Sequence, residues 1–568
     1  MTKTIKKAIS IIIAVAMVMM LGLTSFAADY TISITRSDKD TAKHTYKAYQ
    51  IFTGDPYDDG TSTKLINLAE GANLNLAALK TQLGLASTAT LADVVNELNN
   101  ISEATAAKKI QASVKETPAP AQEESGTAIT TTINVSGTGY YLVTDTIDRN
   151  NTAEGGLQGA ESAFVLQVVF PDTPVTLSAK TDNPTMDKVI DEGAGVQANT
   201  ASLGDKVPFK ITSKVPDHSR YNRYWFKVTD VLCKGLTFNQ ADLEIKVGSK
   251  TLVADTDYTL TTSTDTSTGK TTIGITFINF KQYAKDSDII IKYTATLNDK
   301  ADRTSVGNDN VAKLIFSNDP NHTYSGDEPN DNDVTGETPE KRTVTYTTGI
   351  AVQKTDENGK PLPGATFEIT GTKLNRVLSH VTTYTASATG TYYKLKNGTY
   401  TTDAPATDGS TDSLYESTTI KYAKTETDEI QEKGTAVSIT KTTDSTGYVS
   451  FEGLAAGTYT ITEKEAPDGY KKSDKVYEIV IGSNPTLLVP GWTLTYGTGA
   501  SSGLPAIDSN ALNQTGPILY TFTVQNVKSH DLPITGGMGT TLFYVAGTVL
   551  MLAGVSLLIY KKKSVNKG

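Results

Sequence analysis

Gly457-Thr458-Tyr459-Thr460-Ile461-Thr462-Glu463 sets the fold class of this chain. β-branched and aromatic residues fill it, and a glycine opens it, which is how a short strand behind a turn reads. The same composition recurs in Tyr140-Tyr141-Leu142-Val143 and Ile289-Ile290-Ile291-Lys292-Tyr293, with Gly, Asn and Asp between the runs. Short strands with turn signals at regular spacing predict β-sandwiches, so the fold class is all-β. The exception is Leu76 to Leu98, where Leu, Ala and Val recur at three- and four-residue spacing. That spacing predicts one helical insertion in the N-terminal part.

Both ends carry export signals. Lys3, Lys6 and Lys7 precede the apolar run Ala8 to Leu23, and Ser25-Phe26-Ala27 supplies small residues for cleavage after Ala27. That is a secretory signal peptide over 1–27. At the other end, Leu532-Pro533-Ile534-Thr535-Gly536 is followed by an apolar run from about Met538 to Tyr560 and then Lys561-Lys562-Lys563. About 20 apolar residues suffice to cross a bilayer as a helix, and lysines behind it stay cytoplasmic. Losing the seven lysines of 1–27 and 536–568 takes the formal charge from −10 to −17. An acidic exported body argues against nucleic acid as a partner. Cys233 is the single cysteine, so no intramolecular disulfide forms, and it reads as a small buried hydrophobe rather than a reactive thiol.

About 500 mature residues predict some three domains. The first spans 28–175. A linker with Pro171, Pro174 and Pro184 leads to the second, 176–338, and the third spans 341–528, ahead of the terminal signal at 531–568. The acidic stretch Asp327 to Asp333 could offer carboxylates to calcium, but its spacing matches no EF-hand loop and it reads as a solvated linker. The five histidines, His44, His218, His322, His380 and His530, are scattered outside any metal or nucleophile motif. No metal, no cofactor and no enzyme activity on a substrate are expected. The insertion at 371–440, rich in Thr and Tyr, is assigned only as irregular or β-hairpin structure.

The third domain resembles the CnaB-type, immunoglobulin-like sandwich of Gram-positive surface proteins. The resemblance rests on Lys354, Gly364-Ala365-Thr366-Phe367, Gly447 to Leu454, Tyr459 to Glu463, Ala466-Pro467-Asp468-Gly469-Tyr470 and Gln525-Asn526-Val527. It implies a spontaneous isopeptide bond between Lys354 and Asn526, assisted by Glu463. A lysine amine attacks only when neutral, and burial favours the neutral form. The Asn amide is the electrophile, and a protonated Glu can bond the amide oxygen and shuttle protons as ammonia leaves. The second domain resembles the middle domain of isopeptide-forming pilins through Gly204 to Phe209, Val215-Pro216-Asp217, Tyr224 to Asp230, Lys234 to Phe238 and Ser317-Asn318-Asp319-Pro320. That resemblance implies Lys188 as amine, Asn318 as amide and Asp230 as acid. The first domain echoes the third in Ile32 to Arg36, Tyr46 to Phe52 and Gly139 to Asp145. Arg36 replaces the lysine there and stays charged, and the strand Phe164 to Phe170 ends without Asn. No internal bond is expected, and Asp145 reads as a plain strand-end carboxylate.

The C-terminal order resembles the LPxTG cell-wall sorting signal, which implies cleavage by a sortase after Thr535. With the domains, the whole chain is similar to major (backbone) subunits of sortase-assembled fimbriae. The resemblance implies a pilus-class sortase, copies of the same chain, cell-wall peptidoglycan and possible minor pilins as partners, and only transient membrane contact. It also implies an acceptor lysine between the first two domains. The best match is Lys180 in Ser178-Ala179-Lys180-Thr181-Asp182-Asn183-Pro184. The family carries its lysine in a Tyr-Pro-Lys-Asn-like motif, and the Tyr, Pro and Asn are not all present here. In the other register, Phe170-Pro171-Asp172, an acid stands where the amine is needed. The alternative is a monomeric wall-anchored adhesin using the same signal.

Overall fold

The computed structural model describes residues 30–37, 40–126, 128–149, 159–162, 165–179, 183–192, 195–326, 328–330, 333–508, 511–512, 519–529 and 539–565. The expected signal peptide, Lys180 and Leu532 to Gly536 lie outside them.

The first domain is a sandwich of two sheets. In one, Thr31–Thr35 lies between Thr130–Asn134 and Val175–Ser178, parallel to the latter. In the other, His44–Asp58 lies between Thr63–Glu70 and Gly139–Ile147, and Val165–Val169 flanks Gly139–Ile147. Ile32, Ile34, Tyr46, Tyr141 and Val169 fill the space between them. The expected single helix is three. Leu76–Leu83 ends at Gly84, whose left-handed φ of 74° suits glycine. Leu91–Asn100 restarts at Thr90 with a capping box to Asp93, and Ser102 caps Glu103–Gln111. Apolar periodicity runs on through such a break because all three helices bury their apolar face on the same sheet, around Tyr49, Ile51 and Leu142.

The middle domain is also a two-sheet sandwich. Met186–Ile190 forms one edge beside Lys206–Lys214, followed by Asp288–Leu297 and Leu236–Val247. The facing sheet runs Ala198–Thr200, Lys341–Tyr346, Asn308–Ser317, Phe226–Leu232, Thr271–Phe277, Tyr258–Thr264. Residues 341–346, expected to open the third domain, therefore belong to the middle domain's sheet. Only Thr347 separates them from the next strand, Thr348–Asp356.

In the third domain Thr348–Asp356 lies between Tyr448–Leu454 and Leu519–Asn526, again with the domain's first and last strands parallel. The second sheet runs Tyr422–Thr442, Thr366–Ala386, Gly457–Glu465, Val476–Ser483, Trp492–Tyr496. The insertion is thus a β-hairpin, and its two strands pair from Thr366↔Thr442 to Ala386↔Tyr422. Gly457–Glu465 supports it only as far as Lys373. Beyond Lys373 the hairpin is a two-stranded ribbon of 13 residue pairs, roughly 45 Å at the usual rise. At its tip Tyr384 and Tyr400 stack at 3.9 Å, with the edges of Tyr392 and Tyr422 against them.

Among the described residues, no side chain of the ribbon belongs to the sandwich core. Replacing 374–434 with Asn-Gly, which would join the register partners Lys373 and Thr435 by a two-residue turn, leaves the third domain folded. Its melting temperature by calorimetry then moves by less than about 5 °C. Failure to fold would show that the ribbon is a structural part of the domain.

Candidate functional site

Strand alternation sends Lys354 inward, although a lysine is expensive to bury. Its parallel neighbour Leu519–Asn526 places Val524 beside it and Asn526 two residues on. Lys354 Nζ donates to the Val524 carbonyl at 3.1 Å and lies 3.8 Å from Glu463 Oε1. Asn526 Nδ2 donates to the same Oε1 at 2.8 Å, and Glu463 Oε2 accepts from Ser473 N at 2.7 Å. All three side chains are buried. Burial lowers the Lys354 pKa from the usual 10.5 to about 8, against the opposing pull of Glu463. Amine, acid and amide therefore meet. The acid faces the amide nitrogen rather than the oxygen expected from the chemistry. Asn526 Oδ1 is buried with no hydrogen-bond partner among the described residues.

The middle domain builds a second such cluster. Lys188 Nζ donates to both oxygens of Asp230 at 2.6 Å and to Tyr293 Oη at 3.0 Å. Tyr293 donates in turn to Asp230 Oδ2. Phe209 packs near the amine, its ring centroid 5.4 Å from Nζ. Burial lowers the Lys188 pKa although Asp230 opposes the shift.

The amide in this cluster is Asn310, not Asn318. Asn310 Nδ2 donates to Tyr293 Oη at 2.7 Å, and Asn310 Oδ1 is buried and unpaired among the described residues, as Asn526 Oδ1 is. Asn310 faces Leu232 in a register that sets Ala312 opposite Asp230, so it lies diagonally from the acid on the same face. Asn318 is eight residues on, roughly 26 Å along an extended chain. Its side chain serves the first domain. Its Oδ1 accepts from Arg149 at 3.0 Å and its Nδ2 donates to the Gly159 carbonyl at 3.1 Å, while Glu161 N donates to its backbone carbonyl at 2.7 Å. The resemblance carried by Ser317-Asn318-Asp319-Pro320 points to Asn318 instead. The signal for Asn310 was available in the alternation Asn310-Val311-Ala312-Lys313-Leu314-Ile315-Phe316, which puts Asn310 on the inward face with Ala312, Leu314 and Phe316.

The first domain keeps the position and changes the chemistry. Arg36 is buried and donates to the carbonyls of Ala42 at 2.9 Å and Ala128 at 3.2 Å. Asp145, expected as a plain strand-end carboxylate, is buried. It pairs with His44 Nδ1 at 2.8 Å and accepts from Ser162 N at 2.7 Å, while Asp40 holds His44 Nε2 at 3.2 Å. Burial opposes protonation of His44, but the two carboxylates outweigh it and raise the pKa to about 9. The strand beside Thr31–Thr35 is Val175–Ser178, not Val165–Val169, which flanks Gly139–Ile147. Just before Lys180, a cleft of about 260 Å³ is lined by Ile34, Tyr46, Leu166, Thr176, Leu177 and Arg220.

Cys233 is half-buried and its thiol is pushed up to about 11 by burial, which keeps it protonated. In the acidic linker the Asp333 carboxylate accepts from His322 at 2.8 Å and from Asn330 N at 2.9 Å, while Asp327, Asp331 and Asn332 lie outside the described residues.

A family model described as Gram-positive pilin backbone subunit 2, Cna-B-like domain, matches residues 203–320. A second, a prealbumin-like fold domain, matches 348–406 and 407–489. The trypsin-resistant surface T6 protein of Streptococcus pyogenes serotype M6 is 27% identical over 416 residues, 68% of this chain and 70% of the relative. The chain is a homologue of Gram-positive backbone pilins. Among solved structures, the T6 backbone pilin of the same serotype aligns at 18% identity and a TM-score of 0.49, covering 89% of this pilin homologue and 100% of that chain. The major pilin SpaD of Corynebacterium diphtheriae aligns at 16% identity and 0.45, covering 89% and 99%.

The low pKa of Lys354 has a consequence for an uncrosslinked variant, Asn526→Ala. Between about 8 and 10.5 the unfolded chain holds a proton on Lys354 that the folded chain has lost, so stability rises with pH across that window. Urea unfolding should show Asn526→Ala gaining on Asn526→Ala/Lys354→Met as pH rises through it. A gap independent of pH would mean that the buried amine is charged.

Proposed function

We propose that this chain is the polymerising backbone subunit of a sortase-assembled pilus, with an isopeptide bond inside each of its two distal domains. The observation that carries the reading is the pair of buried lysine–acid–amide clusters, Lys188–Asp230–Asn310 and Lys354–Glu463–Asn526. Each amine is next to an acid that can take its proton, in surroundings that favour the neutral amine. Lys188 bonds Asn310 and Lys354 bonds Asn526, each with loss of ammonia. The acids act once, on their own chain, so the protein is a structural subunit and not an enzyme.

Each bond closes a loop of more than 100 residues and, treated like a disulfide, removes on the order of 4–5 kcal/mol of unfolded-chain entropy. The mechanical effect is larger. Thr535 of one subunit is joined by a pilus-class sortase to Lys180 of the next, and the last subunit is joined to the cell wall. Load then enters after Val175–Ser178 and bypasses the first domain, which fits Arg36 in place of a lysine there. The cleft ahead of Lys180 supports the acceptor assignment, since Ile34, Tyr46, Leu166 and Leu177 offer an extended Leu-Pro segment an apolar wall beside the charged Glu103, Asp145 and Arg220. Between the bonds, residues 311–353 carry load without a covalent bypass. They depend on the ladder of Lys341–Tyr346 with Asn308–Ser317 and Ala198–Thr200. The helix Gly539–Val565 contains an apolar span, Thr541–Ser564, long enough to hold the chain in the membrane until the sortase acts.

The test is an immunoblot of cell-wall extracts boiled in SDS, wild type beside Lys180→Ala. A ladder of high-mass species in the wild type that collapses in the variant is expected. A ladder that persists would move the acceptor elsewhere, and a single anchored species in the wild type would replace the polymer with a monomeric wall-anchored adhesin.

A further inference from the structure

The two clusters differ in how the acid reaches the amide. In the third domain the acid reaches the amide directly, with Asn526 Nδ2 at 2.8 Å from Glu463 Oε1. In the middle domain the acid is aspartate, one methylene shorter, and the amide hydrogen bond goes to Tyr293 Oη at 2.7 Å. The same hydroxyl accepts from Lys188 Nζ at 3.0 Å and donates to Asp230 Oδ2. A single phenol thus touches nucleophile, acid and leaving group at once.

We propose that Tyr293 is a catalytic residue of isopeptide formation in the middle domain, carrying the proton of Asp230 to the departing nitrogen of Asn310. The inference rests on the reading that Lys188 and Asn310 become bonded. The ammonium of Lys188 first gives one proton to Asp230. The neutral amine attacks Cγ of Asn310, a new C–N bond forms, and the C–Nδ2 bond breaks. Tyr293 gives its proton to Nδ2, which leaves as ammonia, and is reprotonated by Asp230. Asp230 then takes the second proton from Nζ. Amine plus amide become secondary amide plus ammonia, and Asp230 ends protonated.

The placement suits a relay and not a base. Burial and the neighbouring Asp230 carboxylate raise the phenol well above its usual range, so it holds its proton at rest. Its ring is fixed by stacking on Phe209 at 5.3 Å and by the edge contact with Phe238 at 5.5 Å, so Tyr293→Phe keeps the packing and removes only the hydroxyl. In the third domain Glu463 spans the gap alone.

The test uses chain 28–535, whose third domain serves as an internal clock. Peptide mapping by mass spectrometry reads the Lys188–Asn310 and Lys354–Asn526 cross-links over time after synthesis. In Tyr293→Phe the first should form roughly 100-fold or more slowly, the usual effect of losing a general acid, while the second keeps its wild-type rate. The double variant Tyr293→Phe/Asp230→Glu supplies the missing methylene and should recover most of the lost rate. A merely structural tyrosine would not be rescued in this way. Cross-linking of Lys188 to Asn310 at the wild-type rate in Tyr293→Phe overturns the role of the hydroxyl, as does a slow single variant that the added methylene fails to rescue. Absence of that cross-link from the wild type would instead overturn the bond itself.

Discussion

Everything in the two distal domains depends on burying a primary amine between sheets of aromatic and aliphatic side chains. An isolated ammonium in such a place costs several kcal/mol. The fold meets that cost locally, by giving each lysine a carboxylate that can share or take its proton. An amine, an acid and an amide gathered by shared hydrogen-bond and ion-pair partners form an unreacted assembly with two ionisable groups in an apolar core. Conversion to a neutral secondary amide removes the buried amine altogether. The arrangement that makes the lysines costly in the folded state is the one that would drive the proposed reaction.

The first domain shows what the plan becomes without that chemistry. Its first and last strands lie parallel, as in the third domain. Arg36 stands at the lysine position and Asp145 at the acid position, and His44 and Asp40 complete a buried charge cluster. A guanidinium cannot attack an amide, so this cluster holds by ion pairing and hydrogen bonds alone. Such a domain is stable at rest but not strengthened against pulling. Its place upstream of Lys180 keeps it out of the proposed line of load. The Asn318 contacts with Arg149 and Gly159 fix it to the middle domain, at a joint that need not carry tension.

Much of this was legible in the sequence, and the failures are physical. Strand composition and turn residues gave the all-β sandwiches, and the position of Lys354, Glu463 and Asn526 relative to the flanking strands was readable because that domain follows its pattern closely. The helical insertion was read as one helix because apolar spacing is insensitive to a cap such as Gly84. The start of the third domain was set early because Lys341–Tyr346 and Thr348–Asp356 look alike as strands, and only pairing assigns them to different sheets. Asn318 came from the resemblance of Ser317-Asn318-Asp319-Pro320 to the closing segment of the pilin middle domain, which does not fix the register of the strand before it. Which Asn faces a lysine more than 100 residues away is a matter of register, and only the inward alternation of Asn310, Ala312, Leu314 and Phe316 hinted at it. Tyr293 escaped notice because a tyrosine in an apolar strand reads as core until its hydroxyl is seen among polar partners.

The intact mass of recombinant chain 28–535, followed by mapping of its cross-linked peptides, decides whether both bonds form. A mass below that of the sequence by two molecules of ammonia is expected, with Lys188 joined to Asn310 and Lys354 joined to Asn526. A chain of full calculated mass would contradict that expectation, and so would a cross-link from Lys188 to Asn318.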